Sequence, residues 1–438
     1  MELLLLKLVS FLRPLASMGY ADAFFDIAGG GLFALVVAAI LSDSSVRKTL
    51  RLSAVDLLIG MFAIWCLTIY VVYYEEADFA HVVKMLIPLF SYTVVKNVVR
   101  ERAQYAKLLL WMIVGFSIPV IASAGLIVAG KGVDYVSYWT GIPRWQGVYT
   151  ASHNFGHSMT LFLIVLVVYV EMVREGAATT GFGWPKKMLL ASLAGIALYC
   201  LYKSQVRSAI VGLVIFIGMY LYAYNKKLLL VGAATVTVIA LVLLPYWMPV
   251  LLPDVWLIEI GRDHSLMGLG SGRPRFWIGD LKQFAALPID QLLAGVGIGR
   301  NYQQQDLELM GHSDWLEILT NTGIIGFILF AALQVFMLRA ILKMERRDKF
   351  IFLAMFCAVN VMMLVSNSYV WRIQVSHLYY MALAFVEVRR PRMIPVDQSD
   401  GSTEVNEGYK GELSLGTQQQ PVTKSPQNVF SGKRINNL

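Results

Sequence analysis

An isolated arginine is the first candidate for chemistry in this sequence. Arg207 lies in a short polar break at residues 203–208, between two apolar segments, with serines on both sides and no acidic neighbour. An arginine beside an apolar segment is costly unless it is paired or binds an anion, although it can also extend to a membrane interface with no further role. The flanking serines and the lack of carboxylates favour an anion site.

Two more arginines follow a glycine in the long segment at residues 246–311. Arg273 and Arg275 stand at i and i+2, just before a predicted short helix. The planar guanidinium group matches phosphate oxygens in bidentate geometry, and a helix N-terminus adds backbone donors. The alternative is that these arginines pair with Asp263 or Asp280. Because the segment contains both basic and acidic residues, any anion site in it must be local.

His312 is the candidate proton acceptor. It precedes a long apolar segment in which Asp314, with Glu317 three residues later, is typical of a helix capping box. The positive end of a helix dipole disfavours a charged imidazole, which leaves a neutral ring that can take a proton from a hydroxyl near neutral pH. The alternative is a structural histidine at a membrane interface.

Polar and aromatic residues also gather at the end of a shorter loop, residues 131–150. Arg144 and Asn154 are candidates for hydrogen bonds to a polar substrate. Trp145 and Tyr149 can anchor the chain at a membrane interface or stack on a sugar. The anchor is the default interpretation for these two aromatic residues.

Two weaker motifs complete the set of candidates. The glycines at residues 295–299 predict a tight turn that places Arg300, rather than a nucleotide loop, because no strand-to-helix context surrounds them. His153 and His157 share a helix face and could form half of a metal site, but the sequence shows no further ligands. We therefore predict no metal and no cofactor.

Membrane-spanning helices must position these residues. Of the 438 residues, 57% are hydrophobic and 15% are charged, whereas a typical soluble chain has about 25% charged residues. Apolar segments close to the length of a bilayer span recur, and spans exposed to lipid must be helical. We predict an all-α integral membrane protein with about 12 transmembrane helices. The predicted spans are residues 2–18, 23–41, 53–73, 80–95, 107–129, 151–173, 188–203, 208–224, 227–246, 313–338, 350–366 and 371–387.

Lysines and arginines gather in alternate loops, which predicts the orientation of the chain. The basic loops, expected in the cytoplasm, lie near residues 47–51, 96–102, 174–187, 226–227 and 339–349. The loops at 131–150 and 246–311, the latter partly helical, then face outward. Residues 1–387 form the membrane domain, and the polar residues 388–438 are predicted to be a disordered cytoplasmic tail. The net charge of +8 thus reflects topology and not nucleic-acid binding.

The order of these motifs resembles the O-antigen ligase and polymerase superfamily of bacterial inner-membrane glycosyltransferases. The matching pieces are residues 144–154, 204–208, 272–277, 295–299 and 312–326. The resemblance implies transfer of a glycan from undecaprenyl diphosphate to a hydroxyl of the lipid A core oligosaccharide, in lipopolysaccharide biosynthesis, with the active site facing the periplasm and without metal. It also implies that Arg207 lies at the diphosphate and that His312 is the essential histidine.

The residue chemistry is compatible with that activity. Breaking a bond between a sugar and a diphosphate develops negative charge on the leaving group, which arginines can stabilise. We predict a single displacement with inversion, in which Arg207, Arg273 and Arg275 hold the diphosphate and His312 is the base.

Three rival functions remain open from the sequence. An O-antigen polymerase would use a second carrier-linked glycan as its acceptor. A metal-dependent glycosyltransferase would use the outer acids Glu75, Glu76 and Asp78. A flippase or transporter of lipid-linked glycans would need a continuous polar path between the two membrane faces, whereas the polar residues here cluster at one side.

Overall fold

The computed structural model describes residues 2–16, 18, 30–31, 34–38, 42, 52–73, 79–136, 143–176, 183–224, 227, 269–299, 313–366 and 372–388, which belong to one unit, Met1–Arg390. Helices dominate these residues, with one short β-hairpin. The elements are α1 (Glu2–Leu15), α2 (Ala54–Val72), α3 (Phe79–Val98), α4 (Arg102–Val128), β1 (Val133–Val136), β2 (Pro143–Trp145), α5 (Ser152–Gly176), α6 (Trp184–Ser204), α7 (Arg207–Tyr224), α8 (Leu269–Ala285), α9 (Ile289–Ala294), α10 (Asp314–Leu342), α11 (Arg346–Val365), α12 (Ile373–Leu383) and a 3-10 turn (Ala384–Glu387).

Seven helices in the described residues are long and apolar enough to cross a membrane, namely α2, α3, α4, α5, α7, α10 and α11. In α2, the exposed residues Leu57, Ile64 and Val71 recur every seven positions and form an apolar stripe, while Phe62 and Ile69 are buried. A helix with apolar residues all around its surface suits a position between protein and lipid. These features agree with the predicted all-α membrane protein.

The predicted count of twelve spans is not confirmed. The first predicted span is α1, which has 14 residues, and the last is divided between α12 and the 3-10 turn. Each is shorter than the roughly 20 residues that cross a bilayer core. Only residues 30–31 and 34–38 of the predicted span 23–41 are described, and only residue 227 of the predicted span 227–246.

Helix α12 lies at the centre of the bundle. Every residue of Ile373–Leu383 is buried, and the helix packs against α1, α3, α5 and α11. The hydroxyl of Tyr105 donates to the carbonyl of Ala382 (2.5 Å), and the amide of Gln334 donates to the hydroxyl of Tyr380 (2.9 Å). Buried polar groups that are paired in this way hold a helix in one register. The N-terminus of α12 is therefore a well-defined point in the bundle.

Helix α10 is kinked at Gly323, where φ is +67°. The kink releases backbone carbonyls from the helix, and two of them find other donors. The backbone N–H of Val296 donates to the carbonyl of Thr320, and the indole of Trp65 donates to that of Thr322, both at 2.9 Å. Carbonyls that are satisfied in this way make the kink a fixed feature of the fold.

The glycine turn at residues 295–299 packs against this kink. Gly295, Gly297 and Gly299 all have positive φ values, and Val296 and Ile298 between them are buried. A Cβ at Gly295 would lie 2.4 Å from a backbone carbonyl oxygen of α10, so only glycine fits there. The structure thus confirms the predicted tight turn, while Arg300 lies outside the described residues.

A β-hairpin occupies the shorter loop, where the sequence analysis predicted no strands. β1 and β2 pair antiparallel, with Tyr135 opposite Arg144. The carboxylate of Asp134 on β1 accepts a hydrogen bond from the backbone N–H of Ser152 (2.8 Å), at the N-terminus of α5. A carboxylate at a helix N-terminus satisfies a free donor and the helix dipole. The hairpin therefore fixes where α5 begins.

Cations at one end of the bundle are paired with carboxylates. The guanidinium of Arg102 makes two hydrogen bonds to Asp348, at 3.0 and 3.1 Å. The ammonium of Lys96 contacts Asp56 and lies 3.0 Å from the carboxylate of Glu387. We call this region, which also includes the ion pair of Arg347 with Glu171, the cation-paired end.

Candidate functional site

A two-residue turn between α6 and α7 presents Arg207. Gln205 has φ +53°, in the left-handed region that is uncommon for a residue other than glycine. The hydroxyl of Ser204 donates to the carbonyl of Leu201 (2.6 Å) and accepts from the backbone N–H of Val206 (3.3 Å). Arg207 is then the first residue of α7. The turn lies where the polar break in the sequence predicts it.

The first turns of α5 pack tightly against this turn. A Cβ at Gly156 would lie 2.7 Å from the Cβ of Val206, which leaves room only for glycine. The ring Nε2 of His157 and the hydroxyl of Ser208 share a hydrogen bond of 2.9 Å, and both residues are buried. This bond ties α5 to the first turn of α7, so His157 helps to position Arg207.

Helix α8 presents Arg273 to the bundle. Arg273, Trp277, Asp280 and Phe284 recur at helical spacing, and the last two are buried. The helix packs against α10. Arg273 is partly buried on this inner face, whereas Arg275 is exposed.

The structure corrects the prediction for this arginine pair. The sequence pattern predicted that Arg273 and Arg275 lie just before a helix, but α8 begins at Leu269 and contains both. Residues at i and i+2 of an α-helix point about 200° apart around its axis. One phosphate cannot lie between the two side chains, and only Arg273 faces the bundle.

Arg273 lies within electrostatic range of Arg207 and has no carboxylate partner among the described residues. Burial lowers the pKa of Arg273, and the guanidinium of Arg207 lowers it further. Within the described part of the chain, the side chain of Arg273 forms no hydrogen bond or ion pair, and Asp280 does not pair with it. Two neighbouring guanidinium groups in a partly buried position repel each other unless an anion lies between them.

Arg372 completes a group that we call the arginine cluster, which consists of Arg207, Arg273 and Arg372. It is 8% exposed, directly precedes α12, and lies within electrostatic range of Arg273, Asp314 and Glu317. Arg372 is not among the site residues predicted from the sequence, although a charged residue at the end of an apolar span is a signal for function.

The predicted capping box at the start of α10 is wrong. The N-cap residue is Ser313, which makes no side-chain capping bond, and Asp314 is already the first helical residue. Asp314 and Glu317 are both buried and act electrostatically on Arg372 instead. The Asp-x-x-Glu pattern therefore places two carboxylates within electrostatic range of Arg372 and does not form a capping box.

The other predicted site residues lie around or outside this cluster. The guanidinium of Arg144 stands 5.2 Å from the ring centroid of Tyr135 in the hairpin. The amide of Asn154 donates to the hydroxyl of Thr150 (2.7 Å) in the first turn of α5. His312 lies outside the described residues, as do the acids at residues 75–78, but Ser313, which follows His312 in the sequence, is buried.

The site as a whole can bind a polyanion. Helices α7 and α12 begin at the arginine cluster, α10 begins beside it at Asp314, and helix N-termini favour negative charge. His157 lies within electrostatic range of both Arg273 and Arg372. In the described ranges, no group of three or more histidine, cysteine, aspartate or glutamate residues could hold a metal ion.

Comparison with known proteins identifies one matching family. Residues 192–331 match the family model of O-antigen ligase (Wzy_C). The matched range includes Arg207, Arg273 and His312, whereas Arg372 lies beyond it. No curated protein matches the chain. The match confirms the resemblance to the O-antigen ligase and polymerase superfamily.

Proposed function

We propose that this chain, which carries an O-antigen ligase domain at residues 192–331, transfers a glycan from undecaprenyl diphosphate to a hydroxyl of the lipid A core oligosaccharide. One observation carries the proposal: within that domain, Arg273 is partly buried beside Arg207 and has no carboxylate partner among the described residues. A diphosphate would supply the negative charge that the guanidinium group of Arg273 lacks among the described residues.

The reaction we propose is a single displacement with inversion. The acceptor hydroxyl attacks the anomeric carbon, the bond from that carbon to the diphosphate oxygen breaks, and the electron pair leaves with the diphosphate. Arg207 and Arg273 stabilise the charge that develops there. His312 takes the proton of the hydroxyl. Because the arginines supply the positive charge, we propose transfer without a metal or other cofactor.

The remaining predicted residues are assigned to the glycan. Arg144 and Asn154 belong to the hairpin and the first turn of α5, and we propose that they and Arg300 form hydrogen bonds to sugar hydroxyls. Arg275 is exposed on the outer side of α8, where it can contact the glycan but not the same phosphate as Arg273.

The distribution of charge supports a periplasmic site in the bacterial inner membrane. The cation-paired end contains Arg102 and Lys96 from the basic loops of the sequence, and such loops remain in the cytoplasm. Helix α12 runs from Arg372 to a 3-10 turn that ends at Glu387, which is part of the cation-paired end. The arginine cluster therefore belongs to the opposite, periplasmic face.

A reconstituted transfer assay tests the proposed function. The purified full-length protein is supplied with undecaprenyl diphosphate-linked glycan and lipid A core, with and without a chelator, and as the Arg207→Gln variant. We expect transfer by the wild type, no effect of the chelator, and loss of transfer in the variant. A chelator-sensitive reaction, or no transfer at all, would contradict the proposal.

The same assay separates the rivals. A polymerase would ignore lipid A core and extend a second carrier-linked glycan. A flippase would move the lipid-linked glycan across reconstituted vesicles without covalent transfer. Each result would replace the ligase assignment by a different function.

Replacing His312 by alanine tests the base. We expect transfer to be abolished, because the acceptor hydroxyl loses its proton acceptor, while the thermal unfolding temperature in detergent stays close to that of the wild type. Full activity in a folded His312→Ala protein would remove the base assignment and leave the arginines as the catalytic groups.

A further inference from the structure

Arg372 is a buried cation that the proposed mechanism does not use. Its Nε and Nη1 atoms are inaccessible to solvent and have no hydrogen-bond partner among the described residues. Its side chain forms no ion pair there either. A buried guanidinium group without partners is costly in free energy. We therefore expect a ligand to bind the guanidinium group of Arg372.

At the cation-paired end of the same bundle, an arginine with a structural role is paired with a carboxylate. Arg102 makes two hydrogen bonds to Asp348, which is 2% exposed in its side chain. Arg372 has two carboxylates in electrostatic range, Asp314 and Glu317, but forms no ion pair with either of them. The carboxylates therefore hold the guanidinium nearby without occupying its donors.

The surroundings of Arg372 favour an anion. Arg273 lies within electrostatic range of it, and Arg207 lies within range of Arg273. Arg372 is also the N-cap of α12, an 11-residue helix whose positive end adds to the field. A single phosphate can be held by two arginines, whereas two linked phosphates offer oxygens to a third.

We infer that Arg372 is a third arginine of the diphosphate site, whose donors Nε and Nη1 bind the diphosphate directly and whose position is maintained by Asp314 and Glu317. This inference rests on the proposed function, in which Arg207 and Arg273 bind the same group. The ligand class is a diphosphate, present both in the donor and in the leaving carrier lipid.

Binding of inorganic pyrophosphate tests the inference directly. Calorimetry on the detergent-solubilised full-length protein compares the wild type with Arg372→Gln, Arg372→Lys and, as a matched control, Arg339→Gln, an exposed arginine of α10. We expect Arg372→Gln to weaken pyrophosphate binding at least about tenfold, as loss of a charge-assisted hydrogen bond does. Arg372→Lys should recover part of that loss, and Arg339→Gln should bind like the wild type.

The inference is overturned if Arg372→Gln binds pyrophosphate as tightly as the wild type, or if the wild type does not bind it. In the transfer assay, the same variant should raise KM for the donor, with no change in KM for the acceptor. An equal change in both Michaelis constants would indicate a general structural defect and would also overturn it.

A triple variant separates binding from folding. Asp314 and Glu317 lie within electrostatic range of Arg372, so removing its charge changes the electrostatic balance at these carboxylates and can make the single variant unstable. Asp314→Asn and Glu317→Gln added to Arg372→Gln should restore the thermal unfolding temperature, while pyrophosphate binding stays weak. Recovery of wild-type pyrophosphate affinity together with stability would show that Arg372 has only a structural role.

The outcome is distinguishable from failure of the proposed function. If the wild type transfers no glycan but binds pyrophosphate in a way that depends on Arg372, the diphosphate site stands and the transferase assignment fails. If transfer depends on Arg207 and Arg273 but not on Arg372, the transferase stands and the third arginine is excluded.

Discussion

The two ends of the helical bundle use the same residue types in opposite ways. At the cation-paired end, Arg102 and Lys96 meet carboxylates at 3.0 Å. In the arginine cluster, Arg273 and Arg372 form no ion pair with any described residue. Paired charges satisfy one another, whereas buried or partly buried cations without such partners indicate where an anion binds.

Single helices connect the two regions. Helix α5 begins near the arginine cluster with His157 and reaches the cation-paired end with Glu171, 14 residues later, which is a distance of about 21 Å along an α-helix. The hydroxyl of Tyr220 near the end of α7 donates to Glu171 (2.6 Å), while α7 begins at Arg207. The difference between the ends therefore comes from local side chains and not from separate domains.

Among the variants that test this difference between the two ends, the largest expected effect is loss of activity in Arg273→Gln. Removing one group that stabilises the leaving charge should lower kcat/KM about 100- to 1,000-fold, by analogy with the loss of an oxyanion donor. The thermal unfolding temperature should not fall, because the variant removes a partly buried charge that has no carboxylate partner among the described residues.

The control for this prediction is Lys282→Gln, an exposed cation on the same helix. It should leave both activity and stability close to those of the wild type. The opposite result would be unchanged activity per folded molecule of Arg273→Gln together with a large drop in its unfolding temperature. Arg273 would then have a structural role like that of the cations at the cation-paired end.

The reverse pattern is expected for Asp348→Ala at the cation-paired end. The variant leaves Arg102 without its bidentate partner, and breaking a buried ion pair costs about 3–5 kcal/mol of stability. We expect a clear fall in the unfolding temperature, measured in detergent, with unchanged transfer per folded molecule. Asp290→Asn, at an exposed position of α9, is the matched control and should change neither. Loss of catalysis in folded Asp348→Ala would mean that the cation-paired end is also needed for activity, so the two regions would not differ in function.

Local features of this site could be predicted from the sequence. The polar break at residues 203–208 marks the turn before Arg207 because a helix in lipid must stay apolar, and any polar run signals its end. The glycines at residues 295–299 mark a turn because positive φ values require residues without a Cβ. Both features depend only on neighbouring residues.

Features that depend on tertiary packing could not be predicted. Arg372 lies close to Arg273 and Asp314 only because α12 packs at the centre of the bundle. The Asp-x-x-Glu pattern at Asp314 fits a capping box when it is considered alone. Only the position of Arg372 shows that these carboxylates act on a neighbouring cation. Because α8 begins at Leu269, Arg273 and Arg275 lie on different faces of the helix. Whether both arginines fall inside the helix depends on a boundary that differs by one or two residues between assignments.

The smallest expected effect concerns Asp280, a buried carboxyl on the same helix as Arg273. Burial raises its pKa from 3.8 to about 6, the opposite of what an ion pair with an arginine would do. The folded state therefore holds this proton more tightly than the unfolded chain. The resulting stability is fully present below pH 3.8 and is lost as the pH rises through 6.

Asp280→Asn should accordingly be more stable than the wild type at pH 8, by up to about 3 kcal/mol, and the two proteins should converge towards pH 4. Thermal unfolding in detergent between pH 4 and pH 8 measures this difference, and Asp290→Asn should show none at any pH. If the advantage of Asp280→Asn grew as the pH fell, the Asp280 carboxylate would have to be stabilised by a cation. Arg273 is the nearest candidate for that cation along the inner face of α8. The arginine cluster would then contain an internal ion pair of the kind found at the opposite end of the bundle, and the case for a bound diphosphate would be lost.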